Sequence, residues 1–136
     1  MNTIIQQFQE KIILDIKKEI ENIFLEGISD ISHLIITIDD NLKELGRELV
    51  KYVLEESDKM IKALPERKKS WVVHGNEKKT LITEFGAVEY ERTYYKSKAN
   101  KGFTYLVDEH FGIEKYQRID KGLTALVYIK IQKNYG

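Results

Sequence analysis

At 136 residues, 42% hydrophobic and 32% charged, with equal numbers of acidic and basic groups, the chain has the composition of an ordinary globular domain, not of a disordered or membrane protein. Cysteine is absent, which excludes disulfides, thiolate nucleophiles and cysteine zinc sites. No apolar run reaches the roughly 18 to 20 residues that span a bilayer, and an N-terminus carrying Gln6, Gln7 and Glu10 is unlike a secretory signal, so a cytoplasmic protein with no membrane partner is expected.

The helical elements come first. Ile5, Phe8, Ile12, Ile16, Ile20, Ile23 and Phe24 recur at steps of three and four, which predicts an amphipathic helix from about Thr3 to Leu25. Gly27 ends it, and Ser29 or Asp30 can cap the next. A second stripe runs through Ile31, Leu34, Ile38, Leu42, Leu45, Leu49, Tyr52 and Val53 toward Ile61 and Leu64, and Pro65 stops it. A helix of about 30 residues would reach about 45 Å, more than a small domain needs. A break is therefore expected, with Gly46 the weak point, unless the helix has a partner. Core packing and a two-chain coiled coil both fit the stripe.

After Pro65 the period changes to two. Trp71, Val72 and Val73 form a strand, Gly75-Asn76 carries a turn signal, and Thr80 to Phe85 alternates again up to Gly86. From Ala87 to Tyr95, Val88, Tyr90, Arg92 and Tyr94 share one face; Glu89, Glu91, Thr93 and Tyr95 share the other. Phe103 to Val107 reads as a further short strand, and Asp120 caps a final helix. The end of that helix is ambiguous: Val127, Ile129 and Ile131 alternate like a strand, while Leu123, Leu126 and Val127 step like a helix. The expected fold class is α+β. Residues 1–64 form a helical hairpin or long arm, 65–112 a small antiparallel module of three or four strands, and 113–136 a C-terminal helical segment.

Little in the chain points to bond-making chemistry. Asp39 and Asp40 diverge by about 100° on a helix and cannot share a metal from one face. Asp108, Glu109 and His110 are compact but lack the spacing of a recognised metal site, so a small metal-dependent nuclease built on them is the weakest reading. His33 and His74 have no carboxylate or serine partner at a diagnostic spacing, and no glycine-rich phosphate loop is present. No catalytic residue, metal or cofactor is expected.

Charge distribution says more. Residues 1–61 hold 7 Lys/Arg against 13 Asp/Glu, residues 62–101 hold 10 against 5, and residues 102–136 hold 5 against 4. An acidic segment followed by a basic one implies two functions, or two surfaces that face each other. In the basic block, Arg67, Lys68 and Lys69 lead into Trp71; Lys78 and Lys79 stand at an expected hairpin tip; Lys96, Lys98 and Lys101 line the next connection. Alternation sets Arg92 between Tyr90 and Tyr94, where a guanidinium can stack on the rings and keep its donor fork outward. Cations around an aromatic surface suit a phosphate backbone and unstacked bases. The blander alternative is that Arg92 pairs with an acid of the second helix, in a sheet docked on the acidic arm. Candidate DNA-contacting residues are Arg67, Lys68, Lys69, Lys78, Lys79, Arg92, Lys96 and Lys98, with Tyr90 and Tyr94 as candidate stacking residues.

The order of residues from Lys78 to Leu126 adds a resemblance. The segments KKTLITEFGAVEYERTYYKSK and FTYLVDEHFGIEKYQRIDKGL carry Phe85-Gly86, Val88, Arg92, Tyr94-Tyr95, Tyr105-Leu106, Asp108-Glu109, Gly112, Tyr116-Gln117-Arg118 and Gly122-Leu123. In that order they resemble the N-terminal region of the Lre-type insertion-sequence transposases, a family long catalogued as uncharacterised bacterial proteins. What the resemblance implies is a DNA-handling region of a transposase whose metal-holding catalytic acids lie in a later domain. This chain, running out at YIKIQKNYG, is expected to be truncated before it, and Asp108 and Glu109 are not those acids. The expected partner is DNA, with a homodimer or a full-length transposase reached through the helical arm. The alternative functions are a protein-interaction module or a non-functional remnant of a mobile element.

Overall fold

Apolar steps of three and four set the first half of the chain, and the computed structural model, which describes residues 2–135, places two long helices there. They are α1, Asn2–Glu26, and α2, Ile31–Lys62. A short helix α3, Pro65–Ser70, leads into strands β1, Trp71–Thr83, β2, Gly86–Ser97, and β3, Phe103–Thr104; α4, Leu106–His110, and α5, Lys121–Tyr135, follow. The class is α+β, with a three-stranded antiparallel sheet in the order β1-β2-β3. Among the described residues no helix is long and apolar enough to cross a membrane.

Two compact units divide the chain, Met1–Leu45 and Gly46–Gly136. In the first, Gly27 takes φ of +63° where a side chain would be strained, and its amide returns to the Phe24 carbonyl at 3.3 Å, closing α1. Asp30 Oδ2 then accepts from the His33 amide at 3.2 Å, the cap expected for α2. Ile13, Ile16, Ile20, Phe24, Ile31, Ile38 and Leu42 are all exposed along this unit.

The second unit begins within α2, because the later turns of that helix supply its core. Leu54 packs with Leu81 and Tyr90, and Val50 and Ile113 flank them. No break occurs at Gly46, contrary to expectation. A Cβ there would lie 2.6–2.8 Å from the Phe85 ring, so this glycine serves close approach and not a hinge.

The sheet departs from the sequence reading in three places. Gly75-Asn76 is not a turn: β1 runs on through it, paired with β2 from Trp71↔Ser97 to Thr83↔Gly86. The register shifts between Val73 and Gly75, so His74 is the extra residue of a β-bulge. A long matched partner strand outweighs the local turn preference of Gly-Asn. The actual hairpin tip is at Glu84-Phe85, where Thr83 Oγ1 accepts from the Phe85 amide at 3.1 Å and donates to the Gly86 carbonyl at 2.9 Å, with Gly86 at φ +112°. Lys78 and Lys79 therefore lie mid-strand. The third departure is the segment from Phe103, which stays extended only to Thr104 before α4 starts at Leu106.

Parts of both outer edges of the hairpin are covered. On the β2 side, Glu55 accepts from the Glu91 amide at 2.9 Å, and Asp58 accepts from the Thr93 amide at 3.0 Å and the Thr93 hydroxyl at 2.7 Å. Two α2 carboxylates thus occupy edge donors that would otherwise invite another strand. Farther along, β3 takes over with Tyr95↔Thr104 and Lys96↔Phe103. On the β1 side, Ile82 donates to the Arg118 carbonyl at 2.7 Å and accepts from the Asp120 amide at 2.8 Å. Asp120 then caps α5 through the Leu123 amide, so the helical alternative holds for 121–135; the Val127 side chain lies outside the described residues.

Candidate nucleic-acid interface

Alternation along β2 buries Val88, Tyr90 and Arg92 in turn. What lies over them is α4. Asp108, 2% exposed, accepts from the Tyr90 hydroxyl at 2.7 Å and holds the Arg92 guanidinium in a buried ion pair. Burial, then the bond to Asp108, pushes the Tyr90 phenol well above its ordinary range. Two candidates are thereby corrected. Tyr90 is fully buried and offers no stacking face, and Arg92, also buried, directs its fork into Asp108 instead of outward. The acid that Arg92 meets belongs to α4 and not to the second helix. From Thr93 onward the buried parity changes to Thr93, Tyr95 and Ser97, while Tyr94 is half-buried and Lys96 exposed on the other face. Burial, followed by the Asp58 charge, raises the Tyr95 phenol.

The guanidinium does stack, on a ring sequence reasoning did not single out. Its carbon stands 3.5 Å from the Tyr105 centroid. Tyr105 stacks on Tyr94 at 4.7 Å and 29°, and Tyr94 stacks on Phe103 at 5.2 Å and 18°. His74, pushed out by the bulge, meets Phe103 edge-on at 5.0 Å and Tyr94 at 5.7 Å. The row starts at a buried ion pair and ends at Phe103, 46% exposed. Tyr105 also donates to Glu77, and burial together with that bond pushes its phenol up to about 12. The sequence did not place Phe103 or His74 in this row, because their positions follow from the β2–β3 register and from the bulge at His74.

The cations separate into two groups. At one end of the sheet, the Lys98 amide bonds to Ser70 at 3.0 Å, its ammonium to the Lys68 carbonyl, and Lys96 pairs with Val72 in the ladder. This brings Lys68, Lys69, Lys96 and Lys98 to one corner, all exposed and, among the described residues, none in an ion pair. Arg67 is structural there: it donates to the Lys62 carbonyl at 2.6 and 2.9 Å and to Trp71 at 3.2 Å, and lies 5.8 Å from the Tyr95 ring. Lys78 and Lys79, paired with Glu91 and Tyr90, stand about 17 and 20 Å from Lys96 at about 3.3 Å per residue. Lys78 pairs with Glu89 at 3.7 Å. Lys79 donates to the Glu114 and Lys115 carbonyls, and burial, then the Arg92 charge, lowers its pKa. It borders a cleft of about 490 Å³ that Lys115, Tyr116 and Arg118 also line.

Asp108, Glu109 and His110 do not converge. Asp108 is taken as described, Glu109 bonds the Thr104 hydroxyl, and His110 packs edge-on against Phe111 at 4.9 Å. Among the described residues no three His, Asp or Glu side chains are grouped to hold a metal ion.

Comparison with known proteins follows the same span. The uncharacterised protein family UPF0236 matches residues 24–133. Two UPF0236 proteins of Caldanaerobacter subterraneus subsp. tengcongensis are each 40% identical over 126 residues, covering 90% of this chain and 27% of their own length. A third from the same organism is 39% identical over 126 residues with the same coverage. The chain spans about a quarter of the length of the curated relatives it matches. No solved structure matches it. Since the match runs from Phe24 near the end of α1 through the whole sheet and into α5, the chain belongs to the UPF0236 family.

Proposed function

We propose that this chain is a DNA-binding, non-catalytic N-terminal region of an insertion-sequence transposase. The observation that carries the reading is the corner where α3 and the end of β2 bring Lys68, Lys69, Lys96 and Lys98 together, all exposed and none in an ion pair among the described residues. Such a cluster attracts a phosphate backbone without regard to base sequence. The resemblance of Lys78–Leu126 to Lre-type transposases supports the same reading, and the occupied state of Asp108 supports the non-catalytic part. Fluorescence anisotropy with a labelled duplex tests it. Affinity falls steeply as salt rises, and the quadruple change of those lysines to Ala removes most of the binding. Binding that ignores salt, or survives that change, refutes the reading.

A second reading has its own observation. Ile31, Ile38 and Leu42 lie exposed along the first unit's part of α2 at coiled-coil steps, which suits a helical partner such as a second copy of the chain or a full-length relative. A strict monomer by light scattering at high concentration removes the homodimer.

A further inference from the structure

We infer that the outer face of Phe103, with His74 beside it, receives an unpaired nucleobase, so that the sheet end binds single-stranded DNA in preference to duplex. The inference rests on the DNA-binding reading and specifies its ligand. Three observations carry it. First, the row from Arg92 through Tyr105 and Tyr94 to Phe103 is a stack already assembled, its inner end fixed by the Asp108 ion pair and its outer end open. A base added to Phe103 continues the stack onto groups that need no further ordering.

Second, the approach is clear. Gly75 stands opposite Tyr94 in the ladder, and a Cβ built on it meets nothing within 4 Å. At that rung β1 carries no side chain, and His74 and Glu77 are the β1 groups that reach the row. His74, displaced by the bulge, is exposed and edge-on to Phe103, which gives the ring pocket a polar wall. Third, the charge is complementary to a polyanion and not to a protein surface of mixed sign. Lys96 is the direct ladder partner of Phe103, which sets its side chain on the same face, and Lys98 follows two residues later at the sheet end. Glu77, an acid of that face, is occupied by the Tyr105 hydroxyl.

Geometry favours a single strand. In a duplex both faces of every base are already stacked on neighbours, so only an unpaired or flipped base can offer a π-face to Phe103. Duplex DNA can still use the lysine corner.

The test measures affinity of the 136-residue chain for a labelled single strand and for its duplex, in wild type, Phe103→Ala, Phe103→Leu and His74→Ala. Leu keeps the apolar contact with Tyr94 and removes the ring, and circular dichroism verifies the fold of each variant. Wild type should prefer the single strand, and both Phe103 variants should lose about 5- to 100-fold on it, with duplex affinity within about twofold of wild type. His74→Ala should lose less, on the single strand alone. A 2-aminopurine base in the strand should be quenched by wild type and not by Phe103→Leu. Equal losses on both ligands, or an unaffected single strand with Phe103→Leu, overturn the inference while salt-dependent duplex binding still upholds the DNA reading. If wild type binds neither ligand, both fail.

Discussion

Asp108 accepts from Tyr90 through one carboxylate oxygen and from Arg92 through the other, so one α4 side chain fixes two consecutive inward positions of β2. Removing an acid from a buried pair leaves the cation uncompensated, which costs about 3–5 kcal/mol. Asp108→Ala should therefore lose about that much by urea denaturation, a large share of the stability of so small a sheet unit. Replacing both partners, as in Arg92→Met with Asp108→Leu, should recover much of it. Equal losses in the single and double variants contradict the assignment.

Gly46 against Phe85 reverses an ordinary expectation. Gly→Ala inside a helix normally stabilises by about 1 kcal/mol. Here the new methyl meets ring carbons at 2.6–2.8 Å, so Gly46→Ala should destabilise by about 1–3 kcal/mol. Adding Phe85→Ala to Gly46→Ala removes the clash, and the double-mutant cycle should show a favourable coupling. Stabilisation by Gly46→Ala alone rules the contact out.

Asp58 serves the sheet edge with both oxygens, at the Thr93 amide and hydroxyl. Asp58→Ala leaves two buried donors unsatisfied and should cost about 2–4 kcal/mol, with Asp58→Asn milder. Amide hydrogen exchange gives the local readout: Thr93 should lose protection in Asp58→Ala relative to neighbours paired with β1. Unchanged exchange at Thr93 contradicts the edge role.

Alkaline pH should loosen the sheet unit in a defined direction. The Tyr105 phenol is raised from its ordinary 10.0 to about 12, mainly by burial and then by the bond to Glu77. A group raised on folding keeps its proton in the native state where the unfolded chain releases it. Its contribution is complete below pH 10 and disappears as pH climbs from about 10 to about 12, roughly 2–3 kcal/mol at about 1.4 per unit. Tyr90, raised further, adds to the fall. Lys79, lowered from 10.5, acts oppositely and raises stability as pH approaches 10.5. Urea midpoints across this range, with tyrosinate absorbance, should show a late-ionising class of phenols. Tyr105→Phe should flatten the decline, and an unchanged decline counts against this account.

Periodicity in the sequence revealed α1, α2 and the start of α5, the Asp30 and Asp120 caps and the α+β class, because each depends on residues within a few positions of one another, whereas α3 and α4 were not read. The misplaced features depended on distant partners. Gly75-Asn76 carries turn chemistry, yet twelve residues of pairing with β2 carry the strand through it, which moves Lys78 and Lys79 from a tip to mid-strand. Alternation put Arg92 on the correct face of β2 but could not see Asp108, which arrives from α4 over that face. Tyr94 was named for stacking on bases, while the rings it meets in the structure, Tyr105 and Phe103, are placed beside it by the β2–β3 register that alternation along β2 cannot supply.

The central claim is that the α3–β2 corner holds a phosphate backbone. Its most direct test is the slope of log affinity for DNA against log salt, compared between wild type, the Lys68/Lys69/Lys96/Lys98→Ala variant, and a Lys78→Ala control about 17 Å from Lys96 along the sheet. Each phosphate neutralised on duplex DNA contributes about 0.9 to that slope, so the account predicts a slope shallower by about 3 to 4 in the quadruple variant, with the control within about one unit of wild type. A quadruple variant with the wild-type slope, or a control whose slope falls as far, contradicts it.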